Sequence, residues 1–177
     1  MAKIYLNGGR LVKTQKQKEL INTFLSHVGQ PLEPLYREIL ECLSKHGYNP
    51  HKQRSYIIFK HTEHNKQIAK TGIRINKDKA PFFNLRFSAC RDYSQRFANI
   101  VKDVLVKADD KPGCIFASCD YCEGEPESHV YKHEDKYHCG AVAFEIPNIS
   151  EDDIAEIKQL IYENHKYLMK MQAGIEI

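Results

Sequence analysis

At 177 residues, 42% hydrophobic and 28% charged, the chain has the size and composition of one ordinary globular unit, which excludes disordered and fibrous classes. No window approaches the roughly 20 apolar residues that span a bilayer, and the N-terminal MAKIYLNGGRLVKTQKQK carries no secretory apolar run, so a cytoplasmic protein without a membrane partner is expected. The formal charge of +3 conceals a split: residues 1–111 hold 21 Lys and Arg against 10 Asp and Glu, and residues 112–177 hold 5 against 13.

In chain order, Ile4 to Leu6 is a short apolar stretch broken by Gly8-Gly9. Thr14 then caps a helix whose apolar face is Leu20, Ile21, Phe24, Leu25 and Val28, stopped by Gly29. A second helix runs from about Pro34 with Leu35, Tyr36, Ile39, Leu40 and Leu43 as its stripe, and Gly47 stands where a left-handed C-cap belongs. The two helices are expected to pack as a crossing or antiparallel pair.

From Ser55 the period becomes that of strands. Tyr56 to Phe59 is one strand, followed by the polar turn His61 to Asn65. Gln67 to Asn76 is the next, and Phe82 to Ala89, which alternates Phe83, Leu85, Phe87 and Ala89 with Asn84, Arg86 and Ser88, is the third. Tight polar turns between them predict an antiparallel meander. Ser94 opens a third helix buried through Phe97, Ile100, Val101, Val104 and Leu105.

Asp109 to Gly113 combines turn residues with the charge switch, so it marks the boundary between a basic α+β unit, 1–111, and an acidic unit, 112–177. The second comprises a small cysteine-rich ribbon, a strand from Ala141 to Ile146, and a last helix opened by Ser150 with Glu151, Asp152 and Asp153 in its first turn. The two are expected to pack as one compact unit. The fold class is therefore α+β, helices covering an antiparallel sheet, with the ribbon inserted before the C-terminal helix.

The chemistry of the ribbon lies in its thiols. Cys119-Asp-Tyr-Cys122 has the two-residue gap that brings two thiolates to one ion, and Cys139 returns at the end of the hairpin HVYKHEDKYHC, which turns near Glu134-Asp135. Cys114 is the first choice for a fourth ligand, with His133, His138 and His129 as substitutes; His138 is awkward because it adjoins Cys139 and points to the opposite face. A structural zinc is the leading reading. Its rivals are a disulfide, buried free thiols, iron-sulfur ligation, or a thiol redox pair at Cys119 and Cys122, which the neighbouring Glu123, Glu125 and Glu127 disfavour by raising thiol pKa. Cys42 and Cys90 read as small buried side chains, with Arg91 beside Cys90 leaving an activated thiol open.

Cys119-Asp-Tyr-Cys122, Tyr137-His-Cys139-Gly140, the strand ending Phe144-Glu-Ile146 and the helix opening Asp152-Asp153-Ile154 together resemble the C-terminal region of a group of small uncharacterised bacterial proteins. Gly47-Tyr48 and Phe82 to Phe87 resemble their earlier part. The resemblance implies a shared zinc-ribbon-like hairpin followed by a helix and brings no activity with it.

In the basic unit, Arg74 and Arg86 on neighbouring strands, with Arg54 or Arg91 and the aromatics Tyr56, Phe82 and Tyr93, are the candidate site for an anionic partner, a small molecule or a nucleic acid. His46, His51, His61 and His64 gather around two loops and read as solvated, with His61-x-x-His64 a weak metal pair. No Gly-x-Ser-x-Gly, phosphate-cradling glycine loop or His-Glu-x-x-His is present, so the sequence leans away from an enzyme and leaves a protein interaction module open.

Overall fold

The structure is a computed structural model that describes residues 14–75, 79–107 and 130–172. Within them lie four helices, a five-stranded antiparallel sheet and a separate two-stranded hairpin, the α+β class expected. The helices are α1 (Gln15–Val28), α2 (Glu33–Lys45), α3 (Gln95–Lys107) and α4 (Glu151–Gln172). The sheet strands are β1 (Tyr48–Gln53), β2 (Tyr56–His61), β3 (Gln67–Ile73), β4 (Pro81–Leu85) and β7 (Phe144–Glu145), in the order β1-β2-β3-β4-β7, and the hairpin pairs β5 (Val130–His133) with β6 (Lys136–Cys139).

Local chemistry sets the helix ends. Thr14 closes a capping box, its Oγ1 accepting the Gln17 N–H at 3.3 Å while Gln17 Oε1 accepts the Thr14 N–H at 3.0 Å. At α4, the Asp153 carboxylate accepts both the N–H (2.8 Å) and the hydroxyl (3.0 Å) of Ser150, and Arg96 of α3 donates to it from Nε at 2.5 Å. Burial alone would raise the Asp153 pKa, but the bonds from Ser150 and Arg96 outweigh it and hold the carboxyl below its ordinary value.

The meander alternates with a period of two up to a register shift between Phe59 and Lys60. Register places Ile57, Thr71 and Phe83 in one cross-strand row and Ile58, Lys70 and Asn84 in the next, which points to the opposite face. Phe59, Ala69, Leu85 and Phe144 continue the apolar side, all buried, and join Ile39 and Leu43 of α2 and Ile157 and Ile161 of α4 in one core.

Three differences from the sequence reading have physical causes. β1 went unread because Pro50 interrupts it and His51, Lys52 and Gln53 are polar; an edge strand tolerates a proline, whose missing N–H faces away from the ladder. The last sheet strand is two residues long because Val142 N–H turns back to Cys139 O at 3.2 Å before it begins. Arg86, read as a solvent-facing residue, is 5% exposed: its Nε donates to Gly140 O at 3.2 Å and its Nη1 to Gln67 O at 2.7 Å.

Those bonds fasten the hairpin to the sheet. Ser88 Oγ donates to the same Gly140 carbonyl at 3.2 Å, while the Tyr131 hydroxyl accepts the Phe87 N–H at 2.9 Å and donates to Val142 O at 3.1 Å. The Tyr131 ring also stacks on Phe144, centroids 3.9 Å apart. Replacing Tyr131 with Phe keeps the ring and strands the Phe87 N–H, so it is expected to cost about 1–3 kcal/mol, read as a lowered denaturant midpoint with helix content retained. An unchanged midpoint would remove the fastening role.

Candidate metal centres

Cys139 ends β6 opposite Val130, at the open end of the hairpin. It is buried, and its Sγ accepts the Ala141 N–H at 3.4 Å. The Gly140 carbonyl held by Arg86 and Ser88 fixes the turn in which this occurs. Cys114, Cys119, Cys122 and His129 lie outside the described residues.

The two substitute ligands are placed differently. His133 pairs with Lys136 beside the turn, three positions along the ladder from Cys139, or about 10 Å at the usual strand rise. His138 pairs with Tyr131, and its ring packs edge-on against Phe144 at 5.5 Å. Cys42 and Cys90 are buried as expected. Burial pushes both thiols up, and Glu163 adds to the effect at Cys90, so neither is an activated nucleophile at neutral pH.

The arginines divide. Arg86 is committed to backbone carbonyls inside the protein, as described. Arg74 is ion-paired with Glu145 and lies over the Phe82 ring at 5.8 Å, on the sheet face where Lys70 lies 5.9 Å over Tyr56. Gly72 lets these aromatics approach: a Cβ there would sit 2.9 Å from the Phe82 ring and 3.0 Å from Tyr56 Cβ. Arg54 occupies the exposed β1–β2 turn in a left-handed conformation, φ 53°, and Arg91 is exposed beyond β4.

The structure also assembles what the sequence left scattered. His61, at the end of β2, and His64, in the following turn, stack with centroids 4.1 Å apart and planes 8° from parallel. His165 of α4 lies 5.4 Å from His61, and His46, after α2, lies 5.1 Å from His165. Tyr48 packs edge-on against His61, His64 and His165. The expectation of solvated loop histidines holds for His51, which is exposed, and is corrected for His61, 6% exposed, and for His46 and His64, which are half-buried like His165 of α4. His165 was legible in principle, since it stands four residues after Ile161 and three before Leu168 on the buried stripe of α4.

Backbone geometry supports the cluster. Gly47 has φ 82°, and a Cβ on it would meet His61 Nε2 at 2.8 Å, so both conformation and space demand glycine. His61 Nδ1 accepts the Glu63 N–H at 3.2 Å, and His64 Nδ1 accepts the Lys66 N–H at 3.1 Å. His165 Nδ1 lies 3.4 Å from the Tyr48 hydroxyl, and His46 Nδ1 lies 2.9 Å from Cys42 O. Burial lowers the pKa of all three clustered rings; with the neighbouring His61, His165 and Lys66 it brings His64 to about 4, and with His46 and His61 it brings His165 to about 4.

Comparison with protein-family models, curated proteins and solved structures gives no match.

Lowered folded-state pKa values mean that, below the ordinary 6.5, the unfolded chain binds protons that the folded chain refuses. Metal-free protein is therefore expected to keep full stability above pH 6.5 and to lose it progressively as pH falls toward 4. Thermal melts in chelator should show this slope, and His64→Gln should flatten it. A stability independent of pH across that window would contradict the buried neutral rings.

Proposed function

We propose that the chain is a cytoplasmic bacterial zinc-binding protein in which the ion is structural, held by Cys139 with Cys119, Cys122 and Cys114. The carrying observation is the buried Cys139 sulfur, poised by the Ala141 N–H at the open end of the hairpin. Two further facts support the reading. Among the hairpin residues whose burial is described, only Tyr131 and Cys139 are buried, and two strands with so little apolar surface are marginal alone. Metal binding supplies folding free energy to such a segment. Four protein ligands fill a tetrahedral ion and leave no place for substrate, which fits a stabilising and not a catalytic role.

The half-buried face bearing Tyr56, Lys70, Arg74 and Phe82 is the seat of an anionic ligand in this reading. Arg74 already has Glu145 as a partner, so the ligand must compete with that pair.

Purified protein is expected to hold zinc at the thiol site, and Cys139→Ser to lose about one equivalent and melt at lower temperature. Slow alkylation of Cys119 and Cys122 that becomes fast on chelation would agree. Equal metal content in wild type and Cys139→Ser, with melting indifferent to chelator, would overturn the proposal.

A further inference from the structure

We infer that His61, His64 and His165 form a second and separate metal site, which takes a borderline divalent transition ion of the zinc class through nitrogen alone. Ligand nitrogens of the three residues lie within 4.8 Å of one another. Two bonds of about 2.0–2.1 Å meeting at a tetrahedral ion bring nitrogens to roughly 3.4 Å, so the set closes when the stacked His61 and His64 rings swing out of parallel and the nitrogens approach.

The ligands come from three places that the fold brings together: the end of β2, the turn after it, and the middle of α4. The rings are shielded and uncharged at neutral pH, which leaves each a lone pair. His64 Nε2 is buried and has no hydrogen-bond partner. A buried nitrogen without a partner is uncommon, and once the ring proton moves to Nδ1 a cation supplies one. The Tyr48 hydroxyl beside His165 Nδ1 can accept that ring's proton and so direct Nε2 to the ion, the usual outer arrangement of a metal-bound histidine.

At the other two rings the binding has a cost. Ligation through Nε2 requires the ring proton on Nδ1, where the Glu63 and Lys66 amides now donate to His61 and His64. Loading must therefore break these two weak bonds, displace the hydrogen bond between the His61 ring and the His46 backbone, and shift the turn of residues 62–66. The donor set decides the ion: the trio contains no carboxylate or carbonyl oxygen, which disfavours calcium and magnesium, whereas imidazoles suit zinc, nickel and copper. An ion here would tie α4 to the turn between β2 and β3.

The test uses the full chain, stripped with chelator and titrated with zinc while the imidazole nitrogens are followed by NMR. The His61, His64 and His165 rings are expected to shift together, and Cys139→Ser is expected to retain the equivalent that His165→Ala loses. Rings that do not move while zinc is taken up, or no uptake at all, overturn the site; the wild-type titration decides even if a variant fails to fold. Cobalt separates this proposal from the thiol site. Thiolate charge-transfer absorption belongs to Cys139, and the weaker visible bands that persist in Cys139→Ser belong to the histidines, so either site can fail while the other stands.

Discussion

A guanidinium inside a protein must have acceptors, and Arg86 finds them in the carbonyls of Gln67 on β3 and Gly140 beyond β6. This requirement sets where the hairpin lies against the sheet. A hairpin of eight paired residues has too little apolar surface to choose its own position. Arg86, Ser88 and the Tyr131 hydroxyl choose it by directional bonds, and the Phe87, Tyr131 and Phe144 rings fill the space between. The Cys139 sulfur lies one residue from the carbonyl that Arg86 holds, so the placement of the thiol is inherited from the sheet.

Much of the frame could be read from the residues. Thr14, Ser94 and Ser150 marked helix starts within a residue, because capping chemistry is local and the side chain and the amide it serves are neighbours in sequence. The turn at Glu134-Asp135 was equally local. What escaped depends on tertiary context. Pro50 argues against a strand unless one knows that the strand lies at an edge, and that is a property of the assembled sheet. Arg86 reads as exposed by alternation, because nothing nearby in sequence announces the Gly140 carbonyl that receives it.

The histidines show the same limit from the other side. His61 and His64 are neighbours along the chain and could be paired on paper, but the residue that turns them into a cluster lies about a hundred positions away on α4. Helical phase put His165 on the inward stripe of α4 without saying what it would meet there. The protein thus holds two kinds of donor on different elements: sulfur at the hairpin, and imidazole between the sheet and its longest helix.

Pro50 has a second consequence. A sheet whose outer strand offered an unbroken row of amides would invite another copy to add a strand, the usual beginning of aggregation. β1 cannot present such a row, because Pro50 has no amide hydrogen to give, and Lys52 places charge beside it. At the far border β7 is only two residues long, too short to template a neighbour. Both margins of the sheet are therefore poor docking sites for a second chain, which guards against fibril-like stacking.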